Sequence, residues 1–288
     1  KILELADYAP LHNPNEAKGI EAFQKALPDA KEVAVFDTSF HTSMPNVNYL
    51  YSLPLDYYKK YGARKYGAHG TSHRYVSQRA AEILGVPLES QKMITMHLGS
   101  GASITAIKDG KSFDTSMGFT PLAGLTMSTR SGDIDASLVA YLMEKLNIQD
   151  INDMINILNQ KSGLLGISGL SPDMRDLLKT REDRPESQLA IDIYVNRLIK
   201  YIGSYVAEMN GVDTLVFTAG TGEGSIPIRK MVVERLGFIG AKLDEEANNV
   251  EAEERIISTP DSKVKVLIVP TNEELMIVRD TVQLTGLV

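Results

Sequence analysis

The chain has 288 residues, 43% of them hydrophobic and 23% charged, which suits two modest soluble domains or one large α/β domain. It contains no cysteine and no tryptophan, so disulfides and cysteine metal sites are excluded. The formal net charge of −7 argues against non-specific nucleic-acid binding, while leaving room for a local pocket of Arg and His suited to a phosphorylated small molecule.

The N-terminal residues Lys1-Ile2-Leu3-Glu4 carry no Met, no basic run and no apolar signal core. They read as a start in mid-protein, or as a chain whose Met was processed away. No apolar run approaches the ~20 residues needed to span a bilayer. The apolar run Val33-Ala34-Val35-Phe36 predicts a buried strand ending on Asp37. After Gly70-Thr71-Ser72, the spacing of Val76, Ala80, Ile83 and Leu84 predicts a helix, and Gly85 and Pro87 stop it. Met93-Ile94-Thr95-Met96 predicts a second buried strand. A hairpin is expected over residues 103–115, turning on Asp109-Gly110. Residues 180–185 are a charged surface connection. A long helix carries Ile191, Val195, Leu198, Ile199, Ile202 and Val206 on one face and ends near Gly211. Thr214-Leu215-Val216-Phe217 is a third strand. A helix follows Ser225, with Ile228, Val232 and Leu236 aligned before Gly237, and residues 264–269 make the last strand. Each strand ends in a polar or glycine-rich cluster, at the position where α/β sheets usually bind ligands.

Those clusters hold the candidate site residues. His97-Leu98-Gly99-Ser100-Gly101 follows a strand, and its glycines let backbone N–H groups approach phosphate oxygens; an ordinary strand–turn reads the same way. Thr218-Ala219-Gly220-Thr221-Gly222-Glu223-Gly224-Ser225 also follows a strand and opens a helix, which makes an anion or nucleotide site. It is neither a Walker A loop nor a clean dinucleotide fingerprint. His69-Gly70-Thr71-Ser72-His73 precedes a helix. Its two His lack a zinc pattern and suit hydrogen bonding to phosphate better. Arg130, in Ser128-Thr129-Arg130-Ser131-Gly132, can grip a carboxylate or phosphate with two prongs, or belong to a turn capped through Asp133. Asp173-Met174-Arg175 pairs charges that hold a nucleotide or start a helix. Asp37 and Glu273 stand at strand ends, where carboxylates suit Mg²⁺; helix-start acidity is the alternative for Glu273.

These pieces resemble, in order and over essentially the whole chain, the acetate kinases of the sugar kinase, Hsp70 and actin superfamily. The matching stretches include Leu11-His12-Asn13-Pro14, Phe36-Asp37-Thr38-Ser39-Phe40-His41, His69-Gly70-Thr71-Ser72-His73, Thr129-Arg130-Ser131-Gly132 and Pro270-Thr271-Asn272-Glu273-Glu274. Propionate kinases share most of these signatures. The resemblance implies an α/β, ribonuclease H-like (actin-like ATPase) fold with mixed sheets flanked by helices. It implies that residues 1–38 and the tail 276–288 belong to a first actin-like domain, and that residues 39–275 form a second one bearing nucleotide-binding and dimerisation surfaces. It further implies a cytoplasmic homodimer, with no nucleic acid or membrane partner.

The implied reaction is reversible transfer of the γ-phosphoryl group of ATP to acetate, giving acetyl phosphate and ADP, with Mg²⁺ or Mn²⁺ and no covalent enzyme intermediate. Carried over by motif, Asp37, His69 and Arg130 are catalytic. His97, Leu98, Gly99, Ser100, Gly101, Asp173, Met174, Arg175, Gly220, Thr221, Gly222 and Gly224 hold the nucleotide. Leu11, His12, Ala68 and Pro121 surround the acetate, and Glu273 bears on the metal. Family members usually have Phe at the position of Ala68, which implies a wider acyl pocket here, and Ser100, Thr221 and Gly224 replace a usual Asn, Ile and Asn. Family members also begin with a segment carrying a phosphate-binding Asn, Ser and Lys set and a later substrate Arg, absent from this sequence. The alternatives that follow are a propionate kinase, or a nucleotide-binding fragment without catalysis.

Overall fold

The computed structural model describes residues 2–8 and 13–286. The expected substrate contacts Leu11 and His12 lie outside the described residues. One mixed sheet organises the chain. Its strands are β1 (Met93–Leu98), β2 (Ala102–Lys108), β3 (Lys111–Thr115), β4 (Thr214–Thr218), β5 (Arg255–Ile256) and β6 (Lys265–Ile268), in the order β3-β2-β1-β4-β6-β5. β1, β4 and β6 run parallel, and β2, β3 and β5 are antiparallel to their neighbours. The hairpin forms as expected: Asp109 and Gly110 both take left-handed φ, 55° and 73°, the geometry of a tight turn whose twist matches the flanking strands.

Alternation along the strands decides which helix covers which face. Ile94, Met96, Leu98, Leu215, Phe217, Val266 and Ile268 face the long helix Pro185–Met209, which contributes Ile191, Val195, Leu198 and Ile202. Met93, Val216, Leu267 and Val269 face the helix Gly70–Leu84 through Val76 and Ala80. On that second face the strand residues Thr95 and Ser103 are also fully buried, so the apolar floor gives way to a polar strip under the first turns of Gly70–Leu84. Gly85 ends that helix with φ 66°, as its spacing predicts.

Two expectations need correction. Residues 33–36 are not a strand. A strand needs a neighbour to complete its hydrogen bonds, none pairs with this run among the described residues, and Phe36 stays 53% exposed. The helix after Ser225 runs only Ile226–Val233, and the rest of its apolar stripe continues as a 3₁₀ turn, Glu234–Ile239. The final helix, Glu273–Thr285, is tied to Gly70–Leu84 by an ion pair between Arg74 and Asp280, and Lys31 donates to the Thr285 carbonyl at 2.9 Å. Among the described residues no helix is long and apolar enough to cross a membrane.

Candidate active site

The parallel register brings three loops to one edge. His97 of β1 stands beside Thr218 of β4, and Phe217 of β4 beside Ile268 of β6. The chain therefore leaves the carboxyl ends of three adjacent strands as residues 99–101, 219–224 and 270–274, the usual position of an α/β ligand cleft. A cavity of about 830 Å³ opens there. Of the expected nucleotide contacts, Gly99, Ser100, Gly101, Asp173, Met174, Arg175, Gly220, Thr221 and Gly224 line it, as does Arg130. Three others do not. Leu98 points into the core, Gly222 is buried against the end of β4, and His97 turns behind the loop to bond Ser72.

Arg130 is held by its backbone rather than by a counter-ion. Met127 and Ser162 donate to the carbonyls of Arg130 and Thr129 at 3.1 and 3.0 Å, and Ser128 donates to Ser100 at 3.1 Å. The guanidinium donates to the Pro121 carbonyl at 3.3 Å and touches the Met127 sulfur at 3.7 Å, and no carboxylate pairs with it among the described residues. Burial lowers its pKa from the ordinary arginine value, yet arginine remains a cation. A half-buried cation with spare donors is an anion site. Gly163, with φ 60°, closes this web from behind; a β-carbon there would stand 2.2 Å from the Met127 carbonyl oxygen and 2.7 Å from that of Arg130. Gly163→Ala is expected to destabilise the protein by about 2 kcal/mol or more through both the clash and the left-handed backbone, read by urea denaturation.

His69 approaches the same point from the other side. A β-carbon on Gly101 would lie 3.3 Å from Arg130 Nη1 and 3.5 Å from His69 Nε2, so glycine lets the two side chains converge. His69 itself has φ 56°, a backbone state that is costly for a residue with a β-carbon. Asp37 holds it there: its carboxylate accepts from the backbone N–H of His69 and, at 3.2 Å, of Thr71. Asp37 thus positions the His69 turn by capping the helix. His69 Nδ1 pairs with Ser103 Oγ at 2.8 Å, and its ring stacks on His97 at 4.1 Å. Ala68, next in the turn, is fixed by its carbonyl, which accepts from His41 Nε2 at 2.9 Å.

Glu273 opens the last helix and is half-buried. Burial first, and then the charge of Asp37, push its carboxyl above the usual range, so the two carboxylates sense one another. No group of three or more His, Cys, Asp or Glu gathers in metal-binding geometry among the described residues. Two carboxylates near enough to feel each other's charge fit Mg²⁺, which keeps most of its waters and relies on substrate phosphates.

The chain belongs to the acetokinase family. The family model matches residues 1–279. An acetate kinase of Latilactobacillus sakei is 66% identical over 284 residues, covering 99% of this chain and 72% of that protein. An acetate kinase of Enterococcus faecalis is 62% identical over 285 residues, covering 99% of this chain and 72% of its own length. Among solved structures, an acetate kinase of Porphyromonas gingivalis superposes with a TM-score of 0.93 at 46% identity, over 98% of this chain and 71% of that one. A propionate kinase of Francisella tularensis superposes with a TM-score of 0.89 at 44% identity, over 96% of this chain and 70% of that one. The acetokinase scaffold is therefore the fold of this chain, and the sheet order above is its framework.

Several acetokinase cleft residues carry no motif that sequence reading singles out. Glu223 accepts from Ala219 N at 2.7 Å, Thr271 N at 3.1 Å and Thr218 Oγ1 at 3.3 Å, locking two of the three loops together; a carboxylate inside a glycine run is the signal for it. Arg229 is fully buried and spends all its donors on Asn248 Oδ1 and the carbonyls of Gly222, Glu223, Asn248 and Val250. The hydroxyls of Tyr194 and Ser225 are buried at the cavity wall with no partner among the described residues. Arg175 folds back onto Asp173, with Nη2 2.6 Å from Oδ2, while Asp173 caps the helix Met174–Thr180; the helix-start reading of that pair holds, and both residues also line the cavity.

Proposed function

We propose that this acetokinase transfers the γ-phosphoryl group of ATP reversibly to acetate, giving acetyl phosphate and ADP. One observation carries the reading: a half-buried arginine with no carboxylate partner among the described residues and a histidine meet over Gly101, and Gly101 and the arginine line a nucleotide-sized cavity. The nucleotide lies along the loops 99–101, 173–175 and 220–227, with its γ-phosphorus toward Gly101. An oxygen of the carboxylate attacks that phosphorus as the bond to the ADP oxygen breaks. The nucleophile is already ionised at neutral pH, so no side chain has to remove a proton, and catalysis is positioning plus charge stabilisation. Arg130 and His69 stabilise the equatorial oxygens. Asp37 holds the His69 turn, and Asp37 with Glu273 would hold Mg²⁺, which supplies charge neutralisation on the phosphates. Residues 1–38 and 276–288 are read as parts of a first lobe that meets the cleft from the opposite side, a reading supported by the Lys31 bond to Thr285.

Acetate is preferred over propionate on the weight of the most similar relatives, and the small Ala68 side chain beside His69 leaves the acyl end roomy. Turnover with acetate, propionate and butyrate tests this. The wild type is expected to accept propionate well, and Ala68→Phe is expected to raise KM for propionate roughly tenfold while leaving acetate within about threefold, the scale of one methylene in a tight pocket. Equal losses for both acids would place Ala68 away from the acyl group.

A further inference from the structure

The helix that follows the Arg130 loop, Ala136–Lys145, is capped by Asp135, whose carboxylate accepts from Ser137 N at 2.7 Å. Asp133, the other acidic residue of that run, is turned the opposite way, toward the residues that precede Arg130. Its Oδ1 accepts from Gly124 N at 2.8 Å, and its own N–H donates to the Gly124 carbonyl at 3.0 Å. Residues 124–133 are thereby closed into a loop whose two ends hold each other by a reciprocal pair of bonds. The pair resembles one rung of an antiparallel ladder, with a carboxylate in place of one carbonyl. The neck is tight enough to need glycine on both sides. Gly124 and Gly132 take φ 104° and 68°, and a β-carbon on Gly132 would stand 2.3 Å from the Leu125 carbonyl oxygen. Arg130 lies within the loop that this neck closes.

The neck is also fastened to the core. Tyr201, on the long helix Pro185–Met209, donates its hydroxyl to Asp133 Oδ2 at 2.5 Å. Arg197, one turn earlier on that helix, has Nη1 3.5 Å from the same oxygen and donates from Nη2 to the Asp133 carbonyl at 3.2 Å. The Tyr201 ring in turn packs edge-on against Tyr205, which is fully buried. Both carboxylate oxygens are thus engaged, one by the loop and one by the helix, and the side chain is held in one orientation.

What the neck controls is where Arg130 leans. Arg130 Nη1 donates to the Pro121 carbonyl at 3.3 Å, and the same Nη1 would lie 3.3 Å from a β-carbon on Gly101. Pro121 stands just ahead of Gly124 in the chain. The other end of this stretch is tied down as well: the Gly118 carbonyl accepts from Tyr66 N at 3.0 Å and Gly67 N at 3.2 Å, immediately before Ala68 and His69. Residues 118–124 therefore span from the His69 turn to the Arg130 loop, and Asp133 is the fastening at the Arg130 end. Freed at Gly124, the span lets the Pro121 carbonyl move, and the guanidinium that rests on it moves too.

We propose that Asp133 is a positioning residue for phosphoryl transfer: it closes the neck of the Arg130 loop through Gly124 and so holds the guanidinium on the Pro121 carbonyl beside Gly101. The proposal rests on the phosphoryl-transfer reading for its use, though not for its geometry. A displacement of about 1 Å in a group that stabilises the transition state costs up to about 10²-fold in rate. Loss of the neck therefore acts on kcat more than on nucleotide affinity. The neck needs an acceptor at Oδ1 rather than a charge, and asparagine supplies one while its amide donates to the Tyr201 oxygen.

Steady-state kinetics of acetyl phosphate formation tests the clamp. Asp133→Ala is expected to lower kcat about 30-fold with KM for ATP within about twofold, and Asp133→Asn to return to within about threefold of wild type. Built into Arg130→Ala, Asp133→Ala is expected to cost less than about threefold more, because residues that act through one group are not additive. A general loosening of the cleft would instead carry over in full. Thermal melting shows whether each variant is folded. If Asp133→Ala is poorly folded, Tyr201→Phe, which frees Oδ2 and keeps the Gly124 bond, is expected to lower kcat about fivefold and to lose that effect in the Arg130→Ala background. Arginine side-chain ¹⁵N NMR, with Arg130 Nε assigned by its absence from Arg130→Ala, reads the clamp without turnover: the resonance is expected to shift in Asp133→Ala and to stay in place in Asp133→Asn. The clamp is overturned by a folded Asp133→Ala within about threefold of the wild-type kcat, by a full-sized loss in the double variant, by an Asn variant as slow as the alanine one, or by an unmoved Arg130 resonance. Absence of transfer by the wild type, with the resonance behaving as expected, would overturn the phosphoryl-transfer reading and leave the clamp standing.

Discussion

Arg130→Ala lowers kcat by roughly 10³-fold, or about 4 kcal/mol of transition-state stabilisation, while the protein stays folded and its Tm is unchanged or slightly raised. The two halves of this expectation have one cause. Arg130 is a half-buried cation whose neighbours are a carbonyl and a thioether rather than a carboxylate. It contributes little to folding, because its desolvation is not offset by a partner. It contributes most when three phosphoryl oxygens spread negative charge in front of it, in a cleft from which much of the water is displaced. KM for ATP should change by only about twofold to fivefold, because most of the proposed nucleotide contacts lie on the other loops. Arg130→Lys keeps the charge but loses the fork, and is expected to recover only part of the rate. Steady-state kinetics and a thermal melt on the three proteins check this together. A kcat within threefold of wild type for the alanine variant would remove Arg130 from the chemistry.

Arg229→Met is expected to cost about 3–5 kcal/mol of stability, a drop read by urea denaturation, even though Met nearly fills the same volume. Arg229 has no carboxylate hydrogen-bond partner either, yet its situation is the reverse of that of Arg130. Each of its N–H groups already donates to an acceptor of the protein, the shortest at 2.7 Å. Burial pulls its pKa down to about 10, so it remains charged at neutral pH. Removing it leaves the carbonyls of Gly222 and Val250 and the Asn248 amide oxygen without the donors that satisfy them, while the carbonyls of Glu223 and Asn248 keep only the N–H groups of Ala252 and Val250. It also releases the glycine loop at Gly222 and Glu223 from the segment at Asn248 and Val250, and with it Glu251 at the cavity wall. Weaker ADP binding by calorimetry should therefore accompany the lost stability, and Arg229→Lys, with three donors in place of five, should fall between.

The contrast shows how far a sequence of this kind can be read. The helix Gly70–Leu84, the Asp109-Gly110 hairpin and the central strands follow from periods of 3.6 and 2 and from turn chemistry, which are local. The run at residues 33–36 has the same apolar signal, but a strand is a property of two segments, and no described neighbour pairs with it. The site divides in the same way. His69, Arg130 and the glycine loops stand out because each lies in a short run of glycines and hydroxyls whose local chemistry suits an anion. Arg229 does not, because its bonds reach 19 to 21 residues along the chain and an arginine on an amphipathic helix reads as surface. Nor do Thr95 and Ser103 as partners of His73: a threonine inside a strand pattern looks like ordinary β-propensity until His73 from the covering helix is seen above it. The role of Asp37 also sharpens with the structure, from a general carboxylate of the phosphate region to the cap that holds His69 in a left-handed turn.

The central claim is that a carboxylate oxygen takes the γ-phosphoryl group over Gly101. Incubating the protein with γ-³²P-labelled ATP, Mg²⁺ and acetate, and trapping the product with hydroxylamine, measures that event directly. The account predicts acetohydroxamate and labelled phosphate in step with ADP formation, with both lost in Arg130→Ala. Hydrolysis of ATP without acetohydroxamate, or equal yields from wild type and Arg130→Ala, would contradict it.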